Sequence, residues 1–316
     1  MISAPAGSGP TSGATTLADP EDVPIPYMAR TRTYYQALGY DEPYRWAHFA
    51  DVPFAPLGKP LNECRIGLVT TAAPYDPALG DQGPGAPYNA AAKFHRVYAR
   101  SIEGTPDVRI SHVTYDRNHT SAEDSNSWFP LAQLKRCAAE GAIGGVASRF
   151  YGAPTTRSQR ATLEQDAPDI LAAMREDNVD AAVLVPNCPI CHQTVSLVAR
   201  HLEAAGIPTI VMGCAKDIVE HAGVPRFLFS DFPLGNSAGK PGDVVSQAAT
   251  LDLALRVLER APAGRTSVQS PLRWRTEASW KRDFCNIERM SSADLARLRA
   301  AHEKHRSIAR AARDHA

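Results

Sequence analysis

The sequence has no surplus of either charge: 34 Lys and Arg stand against 34 Asp and Glu in 316 residues. A nucleic-acid partner is therefore not expected, because gripping phosphates needs a basic excess on some face. No apolar run approaches the roughly 18 residues of a membrane span, so no membrane partner is expected either. Neither G-x-G-x-x-G nor G-x-x-x-x-G-K-[ST] follows a strand-like run, which removes the usual signatures of dinucleotide and ATP sites. No repeat of fixed period occurs. The stretch from Met1 to Thr16 is rich in Ser, Gly, Ala and Pro, without the basic start and apolar centre of a signal peptide. Cysteine is scarce as well: six in a chain of this length are too few for a disulfide scaffold. The expected setting is a reducing cytoplasm, where neighbouring cysteines indicate redox, catalytic or metal chemistry.

What is present alternates in character along the chain. Residues 1–24 read as a disordered tail with little to bury. Residues 25–60 form an aromatic, Pro-punctuated arm carrying Tyr34, Tyr35, Tyr40, Tyr44, Trp46 and Phe49, with a helix near Ala29–Leu38. Such an arm either packs on its own domain or serves as an oligomer contact or a lid. Residues 61–262 alternate short apolar runs with helical spacing, the pattern of right-handed βαβ units in a mainly parallel sheet with helices on both faces, either as one body or as two lobes dividing near 145. Strands are expected at Arg65–Thr71, Val108–Tyr115, Asp180–Pro186, Pro208–Gly213 and Arg226–Ser230. Helices are expected over Pro87–Ser101, Phe129–Glu140, Ser158–Asp177, Gln193–Ala205 and Gly242–Arg260. Residues 263–316 form a basic helical tail; from Pro271 on, eleven Lys and Arg face six Asp and Glu. Ser291 to Asp294 offer an N-cap, and Leu295, Leu298, His305, Ile308 and Ala312 share one face.

The central feature is Asn187-Cys188-Pro189-Ile190-Cys191-His192 after the apolar run Val183–Val185. A cysteine at a helix start meets unpaired N–H groups and the positive end of the helix dipole, which favour the thiolate. Position suggests Cys188 as nucleophile and Cys191 as the thiol that resolves a bond formed there. A haem-attachment reading of Cys-x-x-Cys-His would require export. A zinc reading needs two further ligands, which His192, His119, Cys214 or an acidic residue could supply, the set favoured being Cys188, Cys191, Cys214 and His119. In open parallel sheets ligands bind beyond the carboxyl ends of the strands. Those ends carry Thr70, Thr71, Asp116, His119, Asn187, Cys214 and Asp231. Cys214 is a possible third thiol, His192 an activator of Cys188, and His119 with Asp116 a base and its orienter. Cys64, Cys137 and Cys285 read as bystanders.

Five stretches taken in order resemble one family: Pro53–Leu61, Ile66–Ala72, Ile143–Ala147, the Asn-Cys-Pro-Ile-Cys-His-Gln-Thr turn at 187–194, and Phe229–Gly235. Together they resemble the selenoprotein B family of glycine, sarcosine, betaine and D-proline reductases, over about residues 50–260. The resemblance implies reductive cleavage of a carbon–heteroatom bond, with Cys188 standing where the family's selenocysteine would be and Cys191 at its downstream cysteine. It also implies partner subunits, one of them a pyruvoyl chain. Thr194 stands where members acting on amino acids often carry a further cysteine, and His192 replaces a smaller residue, which puts the family's substrates in doubt.

These readings converge on a thiol-dependent reductase acting on a small molecule without a bound cofactor. A thiol reductant such as a thioredoxin-like protein would reset it, and a homo-oligomer is expected. The alternatives are a zinc-binding or accessory subunit and an isomerase resembling aspartate/glutamate racemases. The isomerase needs two opposed thiols, whereas the first-strand loop Thr70–Ala73 has none.

Overall fold

The computed structural model describes residues 22–40, 42–81 and 88–314. The tail expected over 1–24 lies, but for its last three residues, outside the described residues. The strands are β1 (Arg65–Thr70), β2 (Ala73–Pro74), β3 (Tyr98–Ser101), β4 (Val108–Arg109), β5 (Gly145–Val146), β6 (Arg149–Gly152), β7 (Ala181–Val185), β8 (Thr209–Gly213), β9 (Arg226–Phe229) and β10 (Thr266–Gln269). The helices are α1 (Tyr27–Ala37), α2 (Leu131–Ala139), α3 (Gln159–Ala161), α4 (Ala167–Glu176), α5 (Pro189–Ala204), α6 (Lys216–Ala222), α7 (Val244–Arg260) and α8 (Ser292–Asp314). A π-helical turn, Thr162–Asp166, joins α3 to α4.

The main sheet runs β10-β9-β8-β7-β1-β6-β3, with β5 also on β1; β2 and β4 form a separate antiparallel pair. Every pairing in the main sheet is parallel except that of β3 with β6. This is the expected open α/β fold. Alternation at period two divides its core between two faces. Ile66, Leu68, Val183, Val185, Ile210 and Met212 meet Leu134, Leu251 and Leu258 on one side. Val69, Leu184, Val211 and Phe227 meet Ile170, Val195, Val198 and Val219 on the other. Helices cover both faces, so central strands such as Ala181–Val185 are wholly buried and read as unbroken apolar runs.

Three local expectations differ from the structure. Residues 88–101 form no helix, and their end is the antiparallel strand β3. The run Val108–Tyr115 pairs only at Val108 and Arg109, and the remainder is irregular. The helix read from Gln193 starts at Pro189, because proline suits the first helical position and Cys188 caps it. Among the described residues no helix is long and apolar enough to cross a membrane.

The chain leaves β1 toward β6, then returns to β7 on the opposite side of β1. The carboxyl ends of β1 and β7 therefore flank a topological switch point, where open α/β sheets form their ligand crevice. The arm lies across α5 beside it. Gln193 Oε1 accepts from Ala47 N–H (2.7 Å), and Glu203 Oε2 accepts from Ala55 N–H (2.6 Å). Arg226 donates to the Ala55 carbonyl (2.7 Å) and pairs with Glu203 (2.7 Å), both side chains buried. Gln193 and Glu203 of α5, with Arg226 of β9, thus anchor the arm rather than face water.

Candidate active site at the start of α5

Two side chains latch the loops after β1 and β7. The Thr71 hydroxyl donates to Asn187 Oδ1 (2.6 Å), while Asn187 N–H donates to Thr71 Oγ1 (3.1 Å). Thr70 Oγ1 accepts from Ala72 N–H (3.1 Å) and shapes the same turn. Cys188 follows in extended conformation (φ −138°, ψ 171°) as the N-cap of the 16-residue α5. Its sulfur accepts the Cys191 N–H at 3.2 Å, the capping role that a serine or aspartate oxygen usually fills. Cys188 and Cys191 lie within disulfide distance of each other, with Cα atoms 4.9 Å apart. Cys188 keeps 4% of its surface exposed and Cys191 none, so reagents reach Cys188 first. Cys191 lies one turn deeper, 3.4 Å from the Thr155 hydroxyl.

His192 is fully buried and uses both ring nitrogens on backbone. Nε2 accepts from Cys214 N–H (2.9 Å) and Ala215 N–H (3.2 Å), and two donors there assign the proton to Nδ1, which donates to the Cys188 carbonyl (2.7 Å). Burial lowers its pKa to about 4, opposed by the bond to Cys188. The ring also explains Gly213: a Cβ there would sit 2.8 Å from His192 Cδ2. His192 therefore ties α5 to the end of β8 and has no nitrogen left for a thiol.

Cys188 opens onto a cavity of about 160 Å³. Its walls come from the arm (Tyr35, Tyr40), the segment Ser111–Thr114, Thr155 and Arg157, and the C-terminal helix α8. The signal missed in the sequence is His112, whose ring lies with the two sulfurs so that all three ligand-type atoms are within 4.8 Å of one another. His112 Nδ1 is buried with no hydrogen-bond partner. Burial, then Lys93 and Arg117, press its pKa down to about 3, and burial followed by Arg157 lowers Lys93 to about 8. His112 sits in a run that resembles a buried strand, only four residues before the Asp116 that the topology does single out.

The other candidates are dispersed. Asp116 is buried and accepts from His119 Nδ1 (3.0 Å), but His119 borders a separate cavity with Lys240, Trp274 and Arg275. Asp231 is paired with Lys281, which also holds Asp22 (2.7 Å), beside Arg273 in a third cavity. Cys214 follows β8 as expected, yet its sulfur faces Ser237 Oγ (3.6 Å) and a core containing Tyr27, Phe232 and Trp280. Burial raises its pKa to about 12. The zinc set of Cys188, Cys191, Cys214 and His119 is thus not assembled; among the described residues the group that could hold a thiophilic ion is Cys188, Cys191 and His112. Cys64, Cys137 and Cys285 are buried free thiols.

Fold and site together define an open parallel α/β protein with a cysteine pair capping the helix at its switch point. Residues 37–187 match the family described as glycine/sarcosine/betaine reductase selenoprotein B, so this part of the chain is similar to that family. The match stops at Asn187, one residue before Cys188. The chain is 28% identical over 221 residues to the D-proline reductase subunit gamma of Acetoanaerobium sticklandii, covering 69% of this chain and 88% of that one. It is 26% identical to the glycine reductase complex component B subunit gamma of Carboxydothermus hydrogenoformans, covering 69% of this chain but 51% of that one. It is 23% identical to the sarcosine reductase complex component B subunit beta of Peptoclostridium acidaminophilum, covering 63% and 46%. The chain thus spans about half the length of the glycine and sarcosine reductase relatives. No solved structure matches.

Proposed function

We propose that this chain is the thiol-bearing component of a reductase that cleaves a carbon–heteroatom bond in a small molecule. The observation that carries the reading is the placement of Cys188: N-cap of α5, on the cavity wall, with Cys191 within disulfide reach one turn below. In the reduced protein the same N–H that Cys188 accepts, with the helix dipole, favours its thiolate. The thiolate attacks the electrophilic carbon of R–X, forming a C–S bond as X departs with the bonding electrons and takes up a proton. Cys191 thiolate then attacks the Cys188 sulfur, forming the disulfide, and carbon leaves with the C–S electron pair and gains a proton. The balance is R–X plus two thiols giving R–H, HX and a disulfide, which an external dithiol, such as a thioredoxin-like protein, reduces. Because carbon departs as a carbanion equivalent, the substrate needs a carbonyl beside the reacting carbon. By analogy with the relatives, the chain works as one component of a multi-subunit complex in a reducing compartment. His192, Cys214 and His119 take no chemical part in this scheme.

The test uses phenacyl bromide with dithiothreitol and follows acetophenone. Cys188→Ser should reduce acetophenone formation above the uncatalysed background by more than about 100-fold, as expected when a nucleophile is removed. Cys191→Ser should hold a phenacyl group on Cys188, visible as added mass. Undiminished turnover in Cys188→Ser would sink the reading.

A second reading is favoured by one observation, the unpartnered Nδ1 of buried His112 beside both sulfurs. Reduced Cys188 and Cys191 with His112 supply three ligands of the soft kind that zinc accepts, leaving a fourth position. Metal analysis of reduced protein separates the two: about one zinc per chain, lost in His112→Ala, would support binding.

A further inference from the structure

We infer that the Cys188 cavity selects an organic anion, bearing carboxylate or phosphate and lacking an ammonium group. This rests on the reading of Cys188 as the nucleophile and adds the charge of its substrate. Three basic side chains line the cavity: Lys93, Arg157 and Arg306. Among the described residues no carboxylate lines it, and none pairs with Lys93 or Arg157. Arg306 has Glu303 at 3.9 Å, on the outer side of α8 and outside the cavity lining.

Arg157 is held in place by aromatic faces rather than by an anion. Its guanidinium lies 4.3 Å from the ring centroid of Tyr35 and 4.8 Å from that of Tyr40, and it donates to the Tyr40 hydroxyl at 3.2 Å. Its backbone is left-handed (φ 66°), a conformation that disfavours a residue with a Cβ. Cation–π contacts leave the guanidinium edge available to a planar oxyanion. The cations come from three separate parts of the chain, so their convergence beside Cys188 is a tertiary arrangement and not a run of basic sequence. In such a half-enclosed site an anion is attracted by all three, whereas the ammonium of an amino acid would face them with no partner.

The experiment compares alkylation of Cys188 in the reduced, full-length protein by iodoacetate, iodoacetamide and (2-bromoethyl)trimethylammonium. Site occupancy is read by peptide mass spectrometry, with a free cysteine peptide as reference. The expected iodoacetate-to-iodoacetamide rate ratio is at least about 10-fold above that of the peptide, and the cationic reagent is the slowest. Arg157→Gln and, on the exposed helix, Arg306→Gln should each lower the ratio about three- to ten-fold. Raising the salt from about 0.05 to 0.5 M should also shrink it, without any mutation. A ratio equal to that of the peptide, with brisk labelling by iodoacetamide, overturns the inference and leaves the nucleophile reading standing. No labelling of Cys188 by any reagent overturns both.

Discussion

At the scale of single residues, one short turn divides its labour. Cys188 presents its sulfur to the cavity, while four positions on His192 turns inward and binds backbone from two elements. Removing the imidazole in His192→Ala leaves the Cys214 and Ala215 N–H groups without partners, while the Cys188 carbonyl keeps the backbone N–H of residue 192, a loss of about 2–4 kcal/mol in a denaturant titration. The pH midpoint of Cys188 alkylation should stay within a few tenths of a unit, because both nitrogens of the His192 ring are taken by backbone. A rise of a full unit would instead show His192 acting on Cys188. The spacing Cys188-x-x-Cys191 was legible in the sequence because it is local chemistry on one helical turn. The role of His192 was not, since adjacency in sequence suggests a thiol activator and only the fold reveals what the ring touches. His112 was harder still: 76 positions separate it from Cys188, and it looks like a strand residue among Ile110, Ser111 and Val113.

Elements were legible in proportion to how much apolar surface they bury. β1, β7, β8 and β9 are buried on both faces and stand out as apolar runs. β6, only four residues with Arg149 at its start, and the half-exposed β3 and β10 carry too little pattern to register. The spaced aromatic and alanine residues before Ser101 mimic a helix; instead Phe94 and Tyr98 pack edge-on against each other, and Tyr98 donates to the Ala72 carbonyl (2.7 Å). The arm shows an energetic consequence. Asp217 in the first turn of α6 accepts from Met28 N–H of α1 at 2.7 Å, yet burial raises its carboxyl to about 6. A carboxyl raised on folding binds its proton more tightly in the native state. Its contribution is complete below about pH 3.8 and is lost as the pH climbs through 6. Asp217→Asn keeps an acceptor for Met28 and removes the charge. The variant should be more stable than the parent by about 2 kcal/mol at pH 7, with the difference vanishing near pH 4 in parallel urea titrations. A variant less stable at pH 7 would mean that the ionised carboxylate contributes more through its N–H bonds than burial costs.

At the scale of the whole molecule, the reactive pair and the walls around it belong to parts of different stability. Cys188 and Cys191 sit where α5 leaves the centre of the sheet, and α5 is buried along almost its whole length. The opposite wall is α8, most of whose described side chains face solvent. Its anchors are few: Leu298 against the core around Trp280, Arg299 donating to the Ala37 carbonyl (2.6 Å), and ring contacts of His302 with Tyr40 and His305 with Tyr88. Local opening is cheapest where few apolar contacts must be broken, so α8 should separate from the sheet well below the free energy of global unfolding. Hydrogen exchange is then expected to deuterate α8 amides at least about 100-fold faster than those of β7 and the middle of α5, under conditions where the sheet stays closed. That difference matters for the chemistry, because Cys188 exposes only 4% of its surface and a substrate must reach it through the cavity that α8 helps to enclose. Exchange in α8 as slow as in α5 would fix this wall to the scaffold. Entry would then have to come through movement of the arm, where Tyr44 and Trp46 pack against the cysteine pair.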